Sequence, residues 1–230
     1  MKTEIFLHVG MHKTATTFLQ EEVFEKIKEQ TPLVEYTDKW SISTPIREGY
    51  KNIISDENLD GGSYRLPSDA DKQVTIIKNL SKLYPNANII ICIRNKKGWL
   101  RSAYNQYVLG YGAKDYTFEE YCSSLDSRIT DFDSYISLIK KHFKSVYVCR
   151  FEDFVLNPQL FIEDLCSFIG IDVPENITYE KKNQSLKPHQ IKVLRILSKI
   201  AIKKEFYFPI SVLVKIVRGD VKFGKWGRKV

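Results

Sequence analysis

Long apolar runs are missing from this 230-residue chain. No stretch of about 18 apolar residues occurs, so no membrane-spanning helix is expected. The nearest approach, Phe206 to Val217, is short and holds Pro209, Ser211 and Lys215. A signal-peptide core is also missing, because Ile5-Phe6-Leu7 gives way at once to His8. Cysteine is scarce. Cys92, Cys122, Cys149 and Cys166 are widely scattered and form no C-x-x-C pair. That disfavours a disulfide scaffold and a structural zinc site, and leaves an expectation of four reduced thiols in a cytoplasmic protein. Internal repeats, low-complexity tracts and sharp linkers are absent too. The chain therefore reads as one domain over residues 1–205, with a basic C-terminal extension over 206–230 packed on the same domain.

What is present is enough apolar material for a core: 43% of residues are hydrophobic and 13% aromatic, which excludes wholesale disorder. Charge is uneven. From Lys181 to Val230 there are 14 Lys/Arg against 2 Asp/Glu, while the first 180 residues are net acidic. A basic last quarter suits an anionic partner: a nucleotide, a polyanionic glycan, a membrane surface or nucleic acid. A solvated basic helix face explains the same charge.

Short β-rich runs alternate with amphipathic stretches, which predicts an α/β fold with a parallel sheet. Strands are expected at Glu4 to Val9, Lys51 to Ser55, Asn88 to Ile93 and Ser145 to Cys149. Helices are expected at Thr14 to Lys28, Ala70 to Tyr84, Lys97 to Leu109, Phe132 to His142, from Asn157-Pro158 to near Gly170, and Pro188 to Ile202. The unbroken apolar run NIIICI suits a central strand covered on both faces.

Two segments carry chemistry. In the first, a strand runs into His8-Val-Gly-Met-His-Lys-Thr-Ala-Thr-Thr17 and then into a helix. Free backbone N–H groups at a helix start make an anion site. Lys13 adds a positive charge, and Thr14, Thr16 and Thr17 add hydroxyls. The order is not G-x-x-x-x-G-K-[ST], so an ordinary nucleoside triphosphatase is disfavoured. The bland reading is a Thr-capped strand-to-helix turn. In the second segment, Arg94 follows the central strand, and Ser102 lies eight residues on, inside the next helix. Open parallel sheets bind ligands at such carboxyl ends, and Arg offers a bidentate fork to phosphate. Two anion sites at two strand ends point to a ligand with two separate anionic groups.

With both segments in hand, the sequence resembles the sulfotransferase family that uses 3′-phosphoadenosine 5′-phosphosulfate (PAPS). Gly10-Met-His-Lys-Thr-Ala-Thr-Thr17 is similar to the family's 5′-phosphosulfate loop, and Arg94 with Ser102 to its 3′-phosphate pair. Arg150-Phe-Glu-Asp-Phe-Val-Leu-Asn-Pro158 resembles a later strand-to-helix stretch, and Asn183-Gln-Ser185-Leu a short motif of small bacterial members. Two departures stand out: Ala15 replaces a common Gly, and Arg218 to Gly224 matches the family's basic nucleotide loop poorly in order.

The resemblance implies a P-loop-like, sulfotransferase-type parallel sheet flanked by helices. It implies in-line transfer of a sulfuryl group from PAPS to a hydroxyl or amine, most naturally of a carbohydrate or lipid-linked glycan, with no metal. His12, Lys13, Thr14, Ala15, Thr16 and Thr17 would hold the 5′ end, and Arg94 and Ser102 the 3′-phosphate. Lys13 would stabilise the leaving phosphate, and Glu57, after a short strand, is the first candidate base. Asp56, His8 and His12 are the alternatives. Trp99 is expected in the core or beside the adenine. No nucleic-acid partner is expected. The location implied is cytoplasmic, with peripheral contact at the inner face of the membrane through the basic C-terminus. The competing readings are a P-loop nucleotide kinase, which would need Mg²⁺, and a non-catalytic nucleotide- or polyanion-binding protein.

Overall fold

Strand β1 (Glu4–Val9) is the centre of the sheet. In this computed structural model, which describes residues 2–41, 43–61, 66, 68–111, 116–179, 186–203, 214, 215, 217 and 218, β1 pairs with β3 (Lys51–Asp56) on one side and β4 (Asn88–Ile93) on the other. The edge strands are β2 (Val34–Thr37) beside β3 and β5 (Ser145–Arg150) beside β4. All four pairings are parallel, and the order is β2-β3-β1-β4-β5. Strand order therefore reverses direction at β1, and the carboxyl ends of β1 and β4 flank the crevice where such sheets bind ligands. Ile89, Ile90 and Ile91 are completely buried, as an unbroken apolar strand must be when helices cover both faces.

The helical segment after β1 runs as α1 (Thr16–Phe18), a wide π-type stretch (Leu19–Phe24) and α2 (Glu25–Gln30). It starts two residues later than the apolar spacing predicts, because Lys13 and Ala15 both take left-handed backbone angles, φ 70° and 69°. Its Phe18, Val23, Phe24 and Ile27 join Phe161, Ile162, Leu165 and Ile169 of α8 (Pro158–Ile169) in one buried cluster with Phe6, Ile53 and Ile90 of the sheet. Helix α3 (Ala70–Leu83) packs against α6 (Phe132–His142). The caps explain the boundaries. The Asp69, Asp131 and Asn157 side chains each accept an N–H of the first turn they precede. Gly170 stops α8 with φ 72°, a conformation that costs glycine nothing.

Several elements went unread in the sequence. Strand β2 is only four residues long, and α7 (Phe151–Leu156) is a single short piece after β5. Helix α5 (Phe118–Ser124) and two 3₁₀ turns, Glu57–Asp60 and Ser127–Thr130, are also short. Such lengths give periodicity little to act on.

The chain forms two compact units. The first comprises Met1–Trp99 with Ser124–Lys182, and the second Leu100–Ser123 with Asn183–Val230. The first holds the sheet. The second holds most of α4 (Lys96–Tyr111) and α9 (Pro188–Lys203); in it Tyr104, Tyr107 and Tyr121 pack ring against ring. The extension over 206–230 and the Asn183-Gln-Ser185 motif lie in whole or large part outside the described residues. Among the described residues no helix is long and apolar enough to cross a membrane.

The expectation of four reduced thiols is corrected. Cys92 and Cys149 are joined in a disulfide between β4 and β5, their Cα atoms 4.7 Å apart. They are direct register partners in the ladder. A separation of 57 residues hides that proximity in the sequence. Cys122 and Cys166 are free thiols.

Candidate active site at the carboxyl ends of β1, β3 and β4

The loop between β1 and α1 is shaped by sterics. Gly10 leaves β1 where a Cβ would stand 2.8 Å from Thr16 Oγ1 and 2.9 Å from its Cγ2, so a larger residue would displace Thr16. The left-handed Lys13 and Ala15 flank Thr14. Backbone curled in this way gathers N–H groups into an anion-binding concavity. At its end the first amides of α1 have no carbonyl of their own helix to bond. Thr14 donates its hydroxyl to the Met11 carbonyl at 2.5 Å, bracing the loop. Thr16 Oγ1, by contrast, is buried with no hydrogen-bond partner among the described residues. Trp99 is fully buried, and its indole N–H donates to the His12 carbonyl at 3.0 Å, so its place in the core also pins the loop.

Arg94 follows β4 and reaches the same loop. Its Nη1 donates to the Lys13 carbonyl at 3.2 Å, and its guanidinium lies over the Phe151 ring at 4.2 Å. Arg94 Nε is buried without a partner among the described residues. Glu152 takes up the neighbouring donors: Asn95 N–H and Asn95 Nδ2 both reach its Oε1, at 3.2 and 2.5 Å. Phe151 and Glu152 were not singled out as site residues; their signal was the Arg150-Phe-Glu-Asp stretch. Burial and the adjacent Arg94 push the Lys13 ammonium down from its ordinary value, while Glu57 pulls it up. Burial likewise lowers Arg94, and Glu152 opposes it. Both cations are thus poorly solvated and close together, which favours an anion between them. Ser102 is buried on α4 in the second unit, eight residues along the chain from Arg94.

Glu57 begins the 3₁₀ turn after β3. Its Oε2 lies 2.9 Å from His12 Nδ1. Burial raises the carboxyl, but the His12 bond and the charges of His12, Lys13 and His8 outweigh it and hold Glu57 below its ordinary value. Asp56 has structural work instead: it accepts Asn58 N–H and Asn58 Nδ2–H, and the Trp40 amide. His8 is a packed strand residue. Ser55 Oγ is 2.7 Å from its Nδ1, and Gln20 Nε2 donates to both Ser55 Oγ and the Ser55 carbonyl. Burial drives His8 down to about 4, with Glu57 opposing.

The first unit therefore brings together His12, Lys13, Thr14, Ala15, Thr16, Thr17, Arg94 and Glu57 at adjacent strand ends. Tyr104 and Tyr107 are buried in the aromatic cluster of the second unit. Among the described residues no group of three or more His, Cys, Asp or Glu is placed to hold a metal ion.

A solved sulfotransferase from Alicyclobacillus acidocaldarius is similar with a TM-score of 0.50 at 16% identity, over 93% of this chain and 99% of that one. A mouse sulfotransferase complexed with PAP gives 0.44 at 17% identity, over 76% of this chain and 61% of that one. A sulfotransferase domain from the curacin biosynthetic pathway gives 0.42 at 10% identity, over 96% and 97%. No curated protein matches. The first of these likenesses shows the fold. The sulfotransferase domain family model matches residues 3–223, and with nearly the whole chain inside that match the protein belongs to the sulfotransferase domain family.

Proposed function

We propose that the protein transfers a sulfuryl group from PAPS to a hydroxyl or amine of a carbohydrate or lipid-linked glycan. The observation that carries this reading is the bond from Arg94 Nη1 to the Lys13 carbonyl, which holds the guanidinium against the loop after β1 at the switch point of the sheet. The residues present fit such a donor. Thr16 Oγ1 and Arg94 Nε are buried donors with no partner among the described residues, and a Cβ at Gly10 would disturb Thr16. Bound PAPS supplies the sulfuryl group and a leaving phosphate; everything else is positioning and charge.

In this reading the backbone from His12 to Thr17 and the Thr16 and Thr17 hydroxyls hold the 5′ end. Lys13 neutralises charge on the departing bridging oxygen. Arg94 holds the 3′-phosphate, a role that the family resemblance also gives Ser102. Glu57 accepts the acceptor's proton, being an ionised carboxylate on the opposite side of β1 from Arg94. The carbohydrate acceptor and contact with the inner face of a membrane rest on the resemblance and on the basic last quarter of the chain.

The test is calorimetric titration with 3′-phosphoadenosine 5′-phosphate (PAP), without added metal, on the wild type, Lys13→Ala and Arg94→Ala. Micromolar binding weakened at least tenfold by Arg94→Ala is expected. No binding by the wild type, with ATP bound only in the presence of Mg²⁺, would overturn the reading in favour of a nucleotide kinase.

A further inference from the structure

The loop histidine pairs with the residue after β3. His12 is almost fully buried, 6% exposed, and its backbone is held by the Trp99 indole. Its imidazole Nδ1 meets Glu57 at 2.9 Å across a separation of 45 residues. An ionised carboxylate only accepts hydrogen bonds, so His12 Nδ1 carries the proton. The strand order puts β3, which leads into Glu57, and β4, which leads into Arg94, on opposite sides of β1.

We propose that His12 is a positioning residue for the base Glu57, and not a side-chain ligand of the nucleotide donor. This rests on Glu57 being the base. The His12 Nδ1–H fixes one carboxylate oxygen and leaves the other for the acceptor. In the transfer, the acceptor oxygen forms its bond to sulfur, the bond from sulfur to the bridging phosphate oxygen breaks, and the acceptor's proton passes to Glu57. His12 keeps its own proton on Nδ1 throughout. The pairing resembles the way a second group orients a catalytic residue in other acid–base sites. Besides His12, Glu57 feels the charges of Lys13 from the same loop and His8 from β1.

The arrangement separates two properties that a donor ligand would join. His12→Ala removes the hydrogen bond to Glu57 and leaves the loop backbone, whereas His12→Asn restores an N–H at nearly the Nδ1 position. The experiment follows the Glu57 carboxyl by carbon-13 NMR across pH in PAP-containing samples, with the resonance assigned by its loss in Glu57→Gln, and measures PAP affinity by calorimetry on the same proteins. Expected is an upward shift of Glu57 titration in His12→Ala, a return toward wild type in His12→Asn, and PAP affinity within threefold of wild type in both. The proposal is overturned if Glu57 titrates unchanged in His12→Ala, or if PAP affinity falls tenfold or more in that variant. Should His12→Ala not fold, a His12→Asn protein that binds PAP tenfold more weakly than wild type overturns it equally. Failure of the wild type to bind PAP at all would instead count against the PAPS reading, and the Glu57 titration would still decide the pairing.

Discussion

Ala15 and His8 show how single positions reconcile local cost with the site. Ala15 adopts φ 69°, where an L side chain is strained by roughly 1–2 kcal/mol. Glycine there removes the strain but gives back about 0.4–1 kcal/mol through the freer unfolded chain. Ala15→Gly is therefore expected to be neutral or more stable by about 0.5 kcal/mol in urea denaturation; a loss of 1 kcal/mol would show that the loop is not left-handed at that position. His8 carries a pH effect of definite sign. Burial lowers it from 6.5 to about 4, so the unfolded chain takes up the proton first as pH falls. Stability is unaffected above pH 6.5 and declines between 6.5 and 4, by about 3 kcal/mol at most. Chemical denaturation at several pH values checks it. His8→Asn is expected to lose that portion of the slope, and an unchanged slope would remove His8 as its source.

At the scale of elements, most boundaries follow from caps that sit next to what they cap. Helix α8 is the clearest: Asn157 Oδ1 accepts Leu160 N–H at 3.2 Å, Pro158 opens the first turn, and Gly170 closes the last. Asn157→Ala is expected to cost about 1 kcal/mol of stability while leaving PAP affinity unchanged, since the cap lies in the turn between α7 and α8. Equilibrium unfolding beside the calorimetric titration separates the two effects. Where an element bends away from the simple pattern, tertiary contacts explain it. The helical segment after β1 begins late because of the loop's left-handed residues, and Gln20 in its π stretch reaches Ser55 on β3.

For the whole molecule, the Cys92–Cys149 bridge couples the two strands that lead to the Arg94–Phe151 contact: Cys92 is two residues before Arg94, and Cys149 two before Phe151. Alkylation of the denatured protein without reductant is expected to label two thiols, Cys122 and Cys166, and with reductant four. A bridge closing a 57-residue separation stabilises by up to about 4 kcal/mol on chain-entropy grounds, so reduction should lower the unfolding midpoint. Labelling of four thiols without reductant would refute the bridge.

What the sequence by itself determined was local. Glu4 to Val9 and Asn88 to Ile93 match the observed strands at both ends, because each is a short apolar run cut off by loop chemistry. The 10–17 loop and Arg94 were legible as candidate anion sites, because a strand followed by donors at a helix start needs no distant partner to be recognised. What only the tertiary structure decided was pairing between distant segments: His12 with Glu57, Arg94 with the Lys13 carbonyl and the Phe151 ring, Cys92 with Cys149. None of these has a sequence period or a fixed spacing. They arise because parallel strands place far-separated residues side by side at one end of the sheet, and that register is set by packing of the whole core.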